Sequence, residues 1–313
     1  MRALVTGVTG MDGWHLAEHL RDTGWTVIAL IHGQRERVLP QGVHGVQADL
    51  LDQSNLVNVL RDIQPHTVFN LGAITSIGIS WKQPDLMANV TGLGVLRLLD
   101  AIRLVNKDIR LVQASTADQF GHNDGTPMDE ITPFAPRTPY GVAKQFAHDM
   151  CLSYREAYDM HVSTLILFNH SSPRHGKEFI VRKVTTNVAR ISTEVSAGQR
   201  VRPLQLGKLD AVRDWGYAPD YVRAYPMAAA QLVPDDYVIA TGVGHSVEDL
   251  VRTAFDAVDL DWSRYTTFDH DIGRPADVAT RIGNYDKANR VLGWKPTIFF
   301  DDMIQTMVLL EDM

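Results

Sequence analysis

Residues 2–20 run RALVTGVTGMDGWHLAEHL. The first five have the short apolar character of a buried strand. Gly7, Gly10 and Gly13 follow, and the next stretch sets Leu16, Ala17 and Leu20 on one helical face before Gly24 stops the pattern. Glycines let the backbone approach a pyrophosphate, and a helix N-terminus attracts its charge. Glycine spacing alone is weak evidence. The order of strand, glycines and helix start is what predicts dinucleotide binding and an α/β fold.

Outward from this unit, TVIALI (26–31), VHGVQAD (43–49), TVFNL (67–71), IRLVQAS (109–115) and VSTLILFN (162–169) read as further strands. Between them NLVNVLRDI (55–63), LMANVTGLGVLRLLDAIRLV (86–105) and YGVAKQFAHDMCLSYREAY (140–158) have helical periodicity, the second expected as one long helix. Strands alternating with such helices predict a doubly wound parallel Rossmann sheet. After about residue 169 strand-like pieces are short, and Arg and Pro are frequent. The expected division is a dinucleotide-binding domain over 1–169, joined by a returning strand near 236–242, and a smaller C-terminal substrate-binding lobe built mostly from 170–313.

The 313 residues are enough for such an arrangement, with 45% hydrophobic and 21% charged residues. A formal net charge of -7 argues against a nucleic-acid surface. No apolar run reaches the roughly 20 residues of a membrane span, and with a strand read from residue 2 no signal peptide is expected. The single cysteine, Cys151, follows apolar residues at helical spacing and is expected as a packed core thiol. It cannot form an internal disulfide, which fits a reducing cytoplasm.

The second strand ends ALIHGQRER, with no acid before Glu36 to bind a ribose 2′-hydroxyl. Arg35 and Arg37 suit a 2′-phosphate instead, so NADP is expected over NAD. Asp49 is expected near the adenine, with capping of the following helix as the alternative.

ASTADQFG (114–121) closes an apolar strand with Ser115, Thr116 and Asp118. These residue types shape turns, but they also suit a catalytic strand end. Tyr140 and Lys144 in PYGVAK lie four apart and share a helix face. An ammonium near a phenol lowers the phenol's pKa, which would let it take a proton from a sugar hydroxyl as hydride leaves the same carbon.

The Gly-x-x-Gly-x-x-Gly loop, the Ser/Thr strand end and Tyr-x-x-x-Lys resemble the extended short-chain dehydrogenase/reductase family of nucleotide-sugar enzymes. Within it, the chain is similar along nearly its whole length to the GDP-mannose 4,6-dehydratases. The stretches that carry this are TGVTGMDGWHLAEHL, QASTADQFG, PRTPYGVAK, LFNHSSPRHGKEFIVRKV, LGKLDAVRDWGYAPDYV, VIATGVGHSVEDLV and LGWKP. The resemblance implies a lyase that turns GDP-mannose into GDP-4-keto-6-deoxymannose by internal hydride transfer through bound NADP. Tyr140, aided by Thr116, would remove the 4-hydroxyl proton, and Asp118 would take the C5 proton as the 6-hydroxyl leaves as water. The expected cofactor set is Gly7, Thr9, Gly10, Met11, Asp12, Gly13, Arg35, Asp49, Leu50, Leu71, Gly72, Ala73, Thr75, Tyr140, Lys144 and His170, the last on the nicotinamide side. Asn169, Arg182, Lys183, Arg213 and Arg274 match substrate positions, and their cations suit a diphosphate.

Departures from the resembled pattern are Asp118 for a glutamate, Ala117 for a serine, Ser172 for a glutamate and His175 for an arginine. A segment associated with tetramers is missing after the second strand, so a homodimer is expected, with a homotetramer as the alternative. His170 and His175 have no carboxylate or thiol at ligand spacing, so no metal is expected. The alternatives on the same Tyr-Lys pair are a GDP-4-keto-6-deoxymannose reductase or a 4-epimerase; a further one is an inactive NADP-binding protein.

Overall fold

The computed structural model describes residues 1–33, 38–122, 124–269 and 278–310. Its first half alternates strands β1 (Arg2–Thr6), β2 (Thr26–Ile31), β3 (His44–Gln47), β4 (Thr67–Asn70), β5 (Arg110–Ala114) and β6 (Val162–Leu167) with helices α1 (Met11–Asp22), α2 (Gln53–Ile63), α3 (Ile77–Lys82), α4 (Pro84–Met87), α5 (Gly94–Val105) and α6 (Pro139–Tyr158). Local chemistry sets the helix starts. Asp52 caps α2 by accepting from the Asn55 amide at 3.0 Å. Thr138 caps α6 by accepting from the Gly141 amide at 3.0 Å, and Pro139 takes the first helical position.

The second half contributes β7 (Asn169–Ser171), β8 (Leu204–Leu206), β9 (Val212–Tyr217), β10 (Asp236–Ile239), β11 (Gly244–Ser246), β12 (Thr266–Phe268) and β13 (Thr280–Arg281), with helices α7 (Ile180–Ser196), α8 (Ala218–Val222), α9 (Ala224–Ala229), α10 (Val247–Asp256) and α11 (Phe300–Leu309). The main sheet has seven strands in the order β10-β6-β5-β4-β1-β2-β3. Every pairing in it is parallel. β4 and β6 are buried at every position, as strands covered on both faces must be. One face packs Leu16, Leu20, Phe69 and Tyr225 under α1 and α9. The other packs Leu56, Leu98, Ile102 and Cys151 under α2, α5 and α6. A separate cluster of Val184, Ile191, Trp215, Leu250, Phe255 and Met303 holds α7, α10 and α11 together.

The single helix expected over 86–105 is interrupted. α4 passes into a π turn over Ala88–Leu93 before α5 begins. The turn lies against α6, where a Cβ on Gly92 would come within 3.4 Å of the Ala143 carbonyl oxygen and 3.3 Å of the Phe146 ring. A widened turn with a side-chain-free residue lets the two helices meet at that distance.

A polar chain ties the C-terminal ends of the central strands. Thr6 Oγ1 donates to Asn70 Oδ1 (2.5 Å) and accepts from the amides of Leu71 (3.0 Å) and Gly72 (2.7 Å). Asn70 Nδ2 donates to Gln113 Oε1, and Gln113 Nε2 to the Ala114 carbonyl, each at 2.7 Å. All three side chains are buried, where an unpaired polar group costs on the order of 1–3 kcal/mol.

Asp214 on β9 performs a similar joining role. Its carboxylate accepts from the Thr241 amide (2.9 Å) and hydroxyl (2.6 Å), the Gly242 amide (2.9 Å) and the Gly283 amide (3.2 Å). It thereby fastens β9 to the segment leaving β10 and to the segment leaving β13. Among the described residues no helix is long and apolar enough to cross a membrane.

Candidate active site

β5 ends at Ala114, and the chain turns at once through a short 3₁₀ segment, Ala117–Gln119. Ser115 is a brace in this turn: its Oγ donates to Gln119 Oε1 at 2.9 Å. Thr116 is extended, and its Oγ1 accepts from the Asp118 amide at 3.2 Å. The first turn of α6 lies against this strand end. A Cβ on Gly141 would sit 2.8 Å from the Asp118 carbonyl oxygen, so only glycine permits the approach. Tyr140 and Lys144, 7% and 4% exposed, therefore stand beside Thr116 and Asp118. The four residues singled out for chemistry converge at one strand end.

Their electrostatics differ from the sequence expectation. Burial pushes the Tyr140 phenol well above its ordinary range, and the Asp118 charge raises it further; a hydrogen bond with Thr116 and the charge of Arg281 act in the opposite direction. Lys144 does not depress the phenol as its spacing suggested. Its Nζ donates to the Ala114 carbonyl at 2.8 Å and lies 6.0 Å from the Tyr140 ring centroid. Burial lowers its own pKa to about 8. The shared helix face is there, but burial is the largest cause of both shifts.

Arg281 was not foreseen. Its Nη1 lies 2.9 Å from Asp118 Oδ1, and the two side chains are 7% and 14% exposed. No sequence spacing links them; the fold brings β13 up to the turn that follows β5.

The cofactor loop sits at the switch point where the order of strands reverses between β1 and β4. Gly7 has φ +71°, and a Cβ there would meet the Leu71 backbone at 2.8 Å; one on Gly13 would meet the Gly7 carbonyl oxygen at 2.2 Å. Thr9 and Gly10 are exposed, and Met11 is half-buried. No side chain caps α1 at Gly10, which leaves its first-turn amides to an anion. Leu71 and Gly72 are held by Thr6, Leu50 is buried, Ala73 is half-buried and Thr75 exposed. The backbone cradle thus fits a dinucleotide. Asp49 does not cap α2, a role taken by Asp52; Asp49 instead lies 3.0 Å from His32 Nδ1 at the end of β2. Arg35 and Arg37 lie outside the described residues.

Asp12 and His170 form a pair that the sequence did not reveal. His170 Nδ1 contacts the Phe168 carbonyl at 2.7 Å, and Nε2 contacts Asp12 Oδ2 at 2.9 Å. Both partners are acceptors, an arrangement that favours the doubly protonated ring. Burial opposes that charge, but Asp12 and the Phe168 carbonyl outweigh it, and the His170 pKa is raised. Asp12 is shifted down: burial opposes its charge as well, but the His170 attraction prevails. Asp12 Oδ1 is buried without a partner in the chain. The fold therefore supplies a carboxylate that sequence spacing does not show. Among the described residues no three His, Cys, Asp or Glu side chains converge as a metal set.

The other substitutions noted in the sequence also have partners. Ser172 Oγ lies 2.9 Å from His15 Nε2. His175 lies 3.0 Å from Ser171 Oγ and stacks on Phe179 at 4.0 Å. Asn169 Oδ1 is buried with no partner in the chain. Arg182 reaches Thr186 Oγ1 at 3.0 Å, and Lys183 reaches the Gln205 carbonyl at 2.7 Å. Arg213 bonds the carbonyls of Val212 (2.7 Å) and Ala279 (3.2 Å). Arg274 lies outside the described residues.

Residues 4–307 match the family described as GDP-mannose 4,6 dehydratase. GDP-mannose 4,6-dehydratase of Vibrio cholerae is 38% identical, over 100% of this chain and 94% of its own length. GDP-mannose 4,6 dehydratase 2 of Arabidopsis thaliana is 39% identical, over 98% of this chain and 85% of its own. Among solved structures, the NAD complex of UDP-glucose 4-epimerase from Thermus thermophilus superposes with a TM-score of 0.87 at 27% identity, covering 99% of each chain.

His175 gives a pH test of the site's packing. Burial, reinforced by the His170 charge, lowers its pKa to about 4 from the ordinary 6.5. The unfolded chain binds this proton as pH falls through 6.5 while the folded chain refuses it until about 4, so stability is lost on acidification across that interval. Urea unfolding at pH 7 and pH 5 should show a loss about 1–2 kcal/mol smaller in His175→Gln than in the parent. Equal losses would mean that His175 is not held neutral.

Proposed function

The chain belongs to the GDP-mannose 4,6-dehydratase family, and from this membership we propose how its own residues divide the reaction. It is a lyase, a nucleotide-sugar 4,6-dehydratase acting on GDP-mannose. The observation that carries the residue assignment is the convergence of Thr116, Asp118, Tyr140 and Lys144 where β5 meets α6. When bound on the cradle of Gly7, Gly10 and Gly13, a nicotinamide dinucleotide supplies reversible hydride exchange with the sugar. In its ionised form Tyr140 takes the proton of the 4-hydroxyl; Thr116, holding the phenolic oxygen, and the Arg281 charge favour that form against burial. Lys144, anchored on the Ala114 carbonyl, orients the cofactor-facing side of α6. Asp118 takes the proton from C5 and hands it to the departing 6-hydroxyl, which leaves as water. His170, paired with Asp12, puts positive charge beside the glycine loop. Asn169, Arg182, Lys183, Arg213 and Arg274 are assigned to the nucleotide diphosphate and sugar. A reductase or an epimerase would use Tyr140 and Lys144 without an acid beside them; the near-buried Asp118 favours elimination.

Pure protein incubated with GDP-mannose and NADP⁺ should convert it to a species lighter by one water, with no net build-up of NADPH, as read by mass spectrometry and absorbance. Asp118→Asn should lower this turnover by about 10²-fold or more. Normal turnover in that variant would remove Asp118 from the base role.

For the cofactor we infer NADP. β2 ends without a carboxylate, His32 is already engaged with Asp49, and Arg35 and Arg37 follow in sequence. Nucleotide released by denaturing the purified protein should carry the 2′-phosphate; recovery of NAD alone would reverse the inference.

For assembly we infer a homodimer. Leu93 and Leu104 on the segment leading into and through α5, with Val142 and Phe146 on α6, are apolar side chains left 37–56% exposed on neighbouring helices. Sedimentation should give twice the chain mass, and Val142→Glu should shift it toward the monomer. A monomeric parent would refute the assignment.

A further inference from the structure

We propose that Arg281 is a positioning residue for the elimination step: it holds Asp118 Oδ1 and presents Oδ2 to the C5 proton. This rests on the reading of Asp118 as the base.

The guanidinium comes from an unusually well-fixed strand. On one side β13 pairs with β9, with Arg281 in register with Arg213, and the Val212 amide donates to the Ala279 carbonyl at 2.8 Å. On the other side, the Met128 amide donates to the Ile282 carbonyl (2.9 Å), and the Asn284 amide donates to the Met128 carbonyl (2.7 Å). Just beyond, the Gly283 amide is held by Asp214 at 3.2 Å. Gly283 is wedged so closely that a Cβ would lie 2.4 Å from Ala240 Cβ and 2.8 Å from the Phe168 ring. One strand pairing, one isolated bridge from Met128 to Gly283 and a buried carboxylate therefore fix the backbone from which Arg281 projects.

Asp118, by contrast, stands on a single 3₁₀ turn. Its own turn fixes the backbone but not the rotation of the carboxylate. The 2.9 Å contact with Arg281 selects one oxygen for the ion pair and leaves the other for chemistry. Arg281 is 6% exposed. Among the described residues Asp118 is its ion-pair partner, and a buried charge stripped of its partner is strongly unfavourable.

In the elimination, the C5–H bond breaks and its proton goes to Oδ2. The electron pair becomes the C5=C6 double bond as the C6–O bond breaks, and the same proton leaves on the 6-hydroxyl as water. Arg281 exchanges no proton or electron in this step. It sets where Oδ2 is when the proton moves, and displacement on the scale of an ångström can cost about 10²-fold.

The test is a single turnover of the NADP⁺-loaded protein with GDP-mannose in D2O, following C4 oxidation by NADPH absorbance and elimination by deuterium at C5 with loss of water. Arg281→Met should slow elimination about 10–100-fold and oxidation by clearly less, the latter through loss of the Arg281 charge near Tyr140, so NADPH accumulates transiently where the parent shows none. Arg281→Lys, which keeps a cation without the planar fork, should fall between the two. It serves as the same test if the methionine variant does not fold. Elimination at the parent rate in a folded Arg281 variant, or equal slowing of both steps, would overturn the proposal. Asp118→Asn is run in parallel. If it still eliminates normally, the base reading itself fails; if it does not eliminate while Arg281→Met does so at full rate, only the positioning role fails.

Discussion

The site depends first on the Thr6–Asn70–Gln113 chain across the ends of β1, β4 and β5. A parallel sheet satisfies its backbone along the strands, but at their C-terminal ends the polar groups must find other partners or stay wet. Here three buried side chains close the account between adjacent strands, and they set the geometry on both sides. On one side, Thr6 holds the Leu71 and Gly72 amides against the glycine loop. On the other, Gln113 and Lys144 both bond the Ala114 carbonyl, so the lysine of α6 hangs from the last residue of β5. Asp214 extends this frame from β9 and so reaches Arg281 through Gly283.

The two halves of the site are electrically coupled. The Asp118 charge disfavours ionisation of Tyr140, and Arg281 favours it. One guanidinium therefore touches the carboxylate assigned to elimination and moderates that carboxylate's effect on the phenol assigned to oxidation. Thr116 joins the same group through its bond to the Asp118 amide.

What the sequence disclosed follows from range. The strand, glycine loop and helix of residues 2–22 are a local pattern, and the buried strands are continuous apolar runs. Thr116 and Asp118 share a strand end, and Tyr140 and Lys144 share a helix face. Each is legible because its partners are close in the chain. Arg281 was hidden because its partner Asp118 is far away in the chain and meets it only when β13 is brought to the turn after β5. Asp12 and His170 were both singled out, yet their pairing needed the fold. The π turn depended on how closely α6 approaches Gly92. The sign of the Tyr140 shift was misjudged for a related reason: spacing shows which charges are near, whereas burial decides how strongly water's absence is felt.

The depth of the cluster bears on the fate of the oxidised sugar. Thr116, Tyr140 and Lys144 are each under a tenth exposed. The groups assigned to oxidation and to elimination project from one strand end and the helix packed upon it. With those roles, a 4-keto sugar meets its next reagent without leaving the place where it was made. An acidified, elimination-prone ketone then stays beside the groups that made it, and the second step follows from residence rather than from a second encounter.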